Sequence, residues 1–221
     1  MMNRDLQKRI LTSIFLFAAL VAMILNKFIL MFFLINIFVI SLIEFNGMVK
    51  KIFKQKFIKI FTNLVFIIYI SIYVSIFYIF NQIAGLKILL YLCLFICIFS
   101  DIGGLLFGRY FKGPKLTKIS PKKTYSGVIG SFLLSLIFTN LFLDFLSNVE
   151  TFEFTKEMFL FILLVSLVSQ IGDIIISYFK RKSKIKDTGT IIPGHGGILD
   201  RIDGMIFALP FAYVFFLNFN F

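Results

Sequence analysis

Acids, bases and glycines crowd into the stretch from Gly172 to Asp203 of a chain that is otherwise oily. Ser166, Gln170, Asp173 and Ser177 fall at i, i+4, i+7 and i+11, so they line one face of a helix that runs on to Lys180 and Arg181. Hydrogen bonding between helices accounts for Ser166 and Gln170. It does not account for Asp173, because a carboxylate at membrane depth normally faces a cavity or a charged partner. Lys186-Asp187 follows, then Pro193-Gly194-His195-Gly196-Gly197, which sets the only histidine among glycines. A histidine there has no apolar face to pack in, while glycines permit close backbone approach and anion-binding runs of N–H groups. Asp200 and Asp203, at i and i+3, share a face at the start of the last apolar run. Helix capping and pairing with Arg201 would explain one of these acids, not three acids beside a histidine. Asp173 and Asp200, on different helices, could converge on a cation. A site of oxygen donors suits Mg²⁺, which is usually held by one or two carboxylates plus substrate phosphates.

A second polar segment comes earlier. Ser100 and Asp101 lie in an apolar run, followed by Gly103, Gly104 and Gly108. Beyond it, Ser120-Pro121-Lys122-Lys123-Thr124 reads as a helix N-terminus whose amides and dipole would suit a phosphate. Gly127 and Gly130 would let another backbone close in.

The elements that must position these residues are membrane helices. Of the 221 residues, 59% are hydrophobic and only 15% charged, with 32 Phe and no Trp. A soluble domain is nearer a quarter charged. The apolar excess needs lipid, which predicts an all-α, polytopic integral membrane protein. Runs near the roughly 20 residues that a span needs lie at 10–26, 28–45, 60–80, 86–108, 125–145, 157–179 and 203–219, giving about seven transmembrane helices.

A net charge of +12 would point to nucleic acid in a soluble protein. Here it fits basic cytoplasmic loops, and no nucleic acid is expected. With the N-terminus cytoplasmic, every Lys and Arg falls inside except Lys27, Lys87 and Lys156. Anionic lipid or nucleotide phosphates are further partners for that charge. The alternation of Lys with Ile and Phe over Lys50–Lys59 suits a short interfacial helix or a solvated loop. Residues 1–60 read as a transmembrane scaffold with a basic cytoplasmic loop, and 61–221 as the part carrying the chemistry, with cytoplasmic loops 109–124 and 180–202. Glu44 sits at a helix end and receives no role. Cys93 and Cys97 share a helix face without a nearby histidine, which leaves packing rather than zinc. No small-residue cleavage site follows the first apolar run, so a cleavable signal peptide is not expected.

From Ser177 to Asp203 the chain closely resembles the phosphatidate cytidylyltransferase (CDP-diacylglycerol synthase) family. That signature runs Ser, any, apolar, Lys-Arg, four residues, Lys-Asp, any, small, two residues, apolar, Pro, any, His-Gly-Gly, apolar, any, Asp-Arg, apolar, Asp, and it is met without mismatch. Ser120–Thr124, Asp101 ahead of Phe107-Gly108-Arg109, and the Leu6–Ile10 run are also similar to the family. Family members usually have Glu where Ser126 and Ile176 stand, and Ala-Tyr where Gly104-Leu105 stands.

The resemblance implies that CTP and phosphatidate give CDP-diacylglycerol and pyrophosphate with Mg²⁺, in a homodimer embedded in the bilayer of the cytoplasmic (inner) membrane. It implies that Asp173 and Asp200 hold metal, and that Lys186, Asp187, His195, Arg201 and Asp203 surround the nucleotide and the reacting phosphates. Ser120, Lys122, Lys123, Ser177, Lys180 and Arg181 complete the expected substrate contacts. A CTP-dependent enzyme acting on another lipid phosphate is the alternative. A transporter with an intramembrane acid path would explain Asp101 and Asp173 but not the glycine-flanked His195.

Overall fold

The computed structural model describes residues 12, 18–117, 119–120, 122–147, 155–192 and 196–218. Within lipid no water can satisfy backbone N–H and C=O groups, so apolar runs of this length fold as helices that bond internally. Five helices among the described residues are long and apolar enough to cross a membrane. These are α1 (Lys27–Ile52), α2 (Lys56–Gln82), α3 (Ala84–Tyr110), α4 (Tyr125–Ser147) and α5 (Lys156–Lys182), followed by short α6 (Leu199–Ile202) and α7 (Met205–Asn218). The protein is an all-α, multi-pass membrane protein.

The first expected span, 10–26, lies partly outside the described residues and is helical over 18–25. It is separated from α1 by Asn26, whose extended backbone and Oδ1 cap α1 by accepting the Phe28 and Ile29 N–H groups at 2.9 and 3.3 Å. Over Lys50–Lys59, read as a short interfacial helix or a solvated loop, neither forms as a separate element. Lys50 and Lys51 lie in the last turn of α1, where the helix dipole favours cations. Non-helical residues 53–55 then separate α1 from α2. The last expected span, 203–219, forms α7 over Met205–Asn218, and a turn at Asp203-Gly204 separates it from α6, which ends at Ile202. Asp200 and Asp203 therefore do not share one continuous helix face.

The chain divides into two compact units, residues 1–81 with 179–202, and residues 82–178 with 203–221. In the first, Phe45 of α1 stacks on Phe66 of α2 at 3.9 Å and meets Phe179 at 5.2 Å. Asn63 donates to Asn46 Oδ1 across the same two helices. The end of α5 turns on Lys184, which takes a left-handed φ of 58°. Ile185 N–H reaches back to Lys180 O and Lys184 N–H to Arg181 O, both at 3.0 Å. This is the paired-bond helix ending normally built on glycine.

In the second unit α3 and α4 approach backbone to backbone. A Cβ built on Gly103 would collide with the Gly130 carbonyl, and one on Gly127 would lie 2.8 Å from Gly104 O. Phe95 and Phe99 stack on Phe142 and Phe138 at 4.3 and 4.1 Å. Small residues permit such contact where the hydrophobic effect gives no drive between helices. A Cβ at Gly104 would also fall 2.8 Å from Ser131 Oγ, so packing favours glycine at that departure from the family pattern. Cys93 and Cys97 are free and buried, as packing predicts.

Candidate active site

Two acid–lysine clusters stand out, one in each unit. In the second unit, Asp173 Oδ2 lies 2.6 Å from Lys123 Nζ, and its Oδ1 accepts the Ser177 hydroxyl at 3.2 Å. Lys123 also donates to the Gln170 carbonyl at 3.2 Å. The Gln170 amide donates to Ser166, whose hydroxyl is 2.8 Å from that of Ser100. The polar stripe on α5 is thus one connected line of hydrogen bonds. Of its neutral members Ser166 bridges two helices through Ser100, while the Gln170 and Ser177 side chains bond within α5; its charged member has a charged partner. The side chains of Lys123 and Asp173 are 24% and 28% exposed, so this pair remains open to solvent or ligand.

The helix expected to start at the Ser-Pro pair starts later. Thr124 caps it, accepting the Gly127 N–H at 3.1 Å, while Tyr125 N–H bonds the Pro114 carbonyl. Two of the first amides of α4 are therefore engaged within the chain. Ser120 instead belongs to a turn, with its N–H on Thr117 Oγ1 and its carbonyl accepting from Lys123 N–H. Lys122 is exposed. Ser126, where the family usually has Glu, sits 3.0 Å from the Thr124 hydroxyl and donates to Lys112 O.

In the first unit the signature stretch closes around Asp200. Its Oδ1 is 2.7 Å from Lys180 Nζ. Its Oδ2 accepts the Thr188 N–H at 2.8 Å and the Gly197 N–H at 3.1 Å, with the Thr188 hydroxyl at 3.0 Å. Asp200 and Lys180 are only 7% and 11% exposed. Burial pushes the Asp200 carboxyl up, but the Lys180 ammonium and the Thr188 and Gly197 N–H groups outweigh it and hold the group below its ordinary value. Gly196 has a φ of 83°, and a Cβ there would lie 3.0 Å from Asp200 Oδ2. Glycine is needed at that position on both counts.

Arg181, Lys186, Asp187 and Arg201 are exposed, and Asp203 Oδ1 accepts the Gly204 N–H at 3.0 Å. His195 lies outside the described residues. Two residues given no role are built into this stretch: Thr188, and the buried Glu44, which accepts the Thr188 hydroxyl at 2.7 Å and the Ile198 and Leu199 N–H groups at 3.0 and 2.9 Å. The sequence carried a signal for Glu44. An acid inside an apolar run calls for a partner by the reasoning already applied to Asp173.

Among the described residues no group of three or more His, Cys, Asp or Glu gathers as a metal cage. The donors present are carboxylate oxygens, which fit Mg²⁺ chemically, since that ion takes few protein ligands and completes its shell with water and phosphate.

The cytidylyltransferase family model matches residues 1–219. The chain belongs to that family. It is 46% identical over 114 residues to a phosphatidate cytidylyltransferase of Rickettsia typhi, an alignment covering 50% of each chain. It is 38% identical over 119 residues to that of Haemophilus influenzae, covering 53% of this chain and 41% of the relative. With that of Staphylococcus haemolyticus it shares 39% over 123 residues, 54% of this chain and 45% of the relative. The chain spans about half the length of the curated relatives it matches.

Proposed function

We propose that this chain transfers the cytidylyl group of CTP to phosphatidate, as a homodimer in the cytoplasmic (inner) membrane, with its N-terminus and basic loops on the cytoplasmic face. The reading is carried by one observation: a buried Asp200, at the heart of the signature stretch, is held at both oxygens by Lys180 and by backbone N–H groups. Such a group is built to keep its negative charge at a fixed place.

The chemistry follows from the charges. A phosphatidate oxygen forms a bond to the α-phosphorus of CTP. The bond from that phosphorus to the pyrophosphate bridging oxygen breaks, and its electron pair leaves with pyrophosphate. The attacking phosphate is already anionic and needs no strong base. The barrier lies in bringing anions together and in the charge on the leaving group, which fixed cations lower. Lys122, Lys123, Lys180, Arg181, Lys186 and Arg201 supply that positive charge.

Asp173 and Asp200 are the carboxylates assigned to Mg²⁺, which when bound polarises phosphoryl oxygens as a Lewis acid. Lys123 and Lys180 already bond these carboxylates, so each lysine must share its oxygen or move onto a phosphate. The acyl chains stay in lipid while CTP enters from the aqueous side.

The test incubates membranes holding the chain with labelled CTP and phosphatidate, alongside a panel of other lipid phosphates. Mg²⁺-dependent labelled liponucleotide from phosphatidate is expected. Asp173→Asn and Asp200→Asn should each abolish turnover without loss of membrane insertion. Near-normal activity in both variants would refute the metal assignment.

A further inference from the structure

We propose that Glu44 is a positioning residue that clamps the glycine-rich signature stretch onto α1 and thereby sets the place of Asp200. The proposal rests on the cytidylyl-transfer reading above for its effect on rate, and on geometry alone for the clamp.

Glu44 lies in α1 and is 5% exposed. Among the described residues its bonds are all to neutral donors: the Thr188 hydroxyl and the N–H groups of Ile198 and Leu199. A buried carboxylate without a cation is costly unless several donors converge on it. Here all three come from one short stretch far along the chain. Ile198 and Leu199 lead into α6, which carries Asp200.

The stretch is also shaped around this carboxylate. A Cβ built on Gly189 would lie 2.5 Å from Glu44 Oε1, and one on Gly197 would lie 2.5 Å from both Glu44 oxygens. Two small positions of the signature are thus the walls of a pit that the Glu44 carboxylate fills.

Thr188 joins the clamp to the acid. Its N–H bonds Asp200 Oδ2 at 2.8 Å. Its hydroxyl lies 2.7 Å from Glu44 Oε2 and 3.0 Å from Asp200 Oδ2. A hydroxyl has one proton to give. Asp200 Oδ2 already takes two N–H groups, so the proton goes to the nearer Glu44. Glu44 then fixes Thr188, and Thr188 fixes Asp200.

The experiment uses the full chain in lipid and measures kcat, KM for CTP, and amide hydrogen exchange over 186–199. Glu44→Gln turns one acceptor oxygen into a donor facing an N–H or the Thr188 hydroxyl. It should lower kcat about tenfold or more, leave KM for CTP within about threefold, and strip protection from the amides of 188 and 197–199. Thr188→Val should lose rate, Thr188→Ser should restore it, and Glu44→Gln with Thr188→Val should lose little more than Glu44→Gln alone. A Glu44→Gln enzyme with kcat within about twofold of wild type, or a Thr188→Ser variant no better than Thr188→Val, overturns the proposal. A wild-type chain that makes no liponucleotide overturns the activity instead. Exchange then decides the clamp: lost protection in Glu44→Gln upholds it, and unchanged protection ends it.

Discussion

Removing the Lys180 ammonium tests whether Asp200 is held as a buried anion. In Lys180→Met the side chain keeps its apolar stem and loses its charge. The Asp200 carboxylate, on a side chain 7% exposed, would then keep only the Thr188 and Gly197 N–H groups as donors. Breaking a buried pair on one side costs about 3–5 kcal/mol. The remaining donors offset part of this, which leaves about 3 kcal/mol, the low end of that range. That amounts to roughly a hundredfold easier local opening. Hydrogen exchange at the Thr188 and Gly197 amides reads this opening directly. Adding Asp200→Leu to Lys180→Met removes both charges, and it should restore global thermal stability toward wild type because no unpaired charge stays buried. Protection within about twofold of wild type in Lys180→Met, or a double variant less stable than the single, would refute the reasoning.

Two other expectations concern acid and packing. The Asp200 value is lowered on folding, so its contribution to stability is complete above the ordinary value of 3.8 and is lost as pH falls through the lower folded value. Exchange protection at Thr188 and Gly197, corrected for intrinsic rates, should therefore persist to about pH 4; loss already near pH 5 contradicts the assignment. Gly103→Ala should lower unfolding stability in detergent by about 1–3 kcal/mol, because the added methyl meets the Gly130 carbonyl and the Ser131 Cα rather than a flexible side chain. Gly85→Ala on the same helix meets nothing within 4 Å, and it should be neutral or slightly stabilising.

Much of the fold was legible because lipid imposes one rule on every segment: long apolar runs must satisfy their own backbones. The division at Asn26 and the start of the last helix after Asp203-Gly204 fall where the expected spans end and begin, whereas short α6 was not legible, because four residues make no hydropathic run of their own. The stripe from Ser166 to Ser177 was legible from helical periodicity, and its hydrogen-bonded line bears that out. That Glu44 needs a partner was legible from its place in an apolar run, but which partner was not, because its partners lie 144 to 155 residues away. Their backbone N–H groups carry no mark in any one-letter string.

The order of residues alone determined that the chain is a multi-pass helical membrane protein of the cytidylyltransferase family, since hydropathy and a dense signature are local properties of the chain. Tertiary structure decided which lysine meets which carboxylate, which two acids the Thr188 hydroxyl lies between, and why the stretch needs glycine at 189 and 197. Those outcomes depend on oxygen and nitrogen atoms meeting within about 3 Å, a distance that only folding sets.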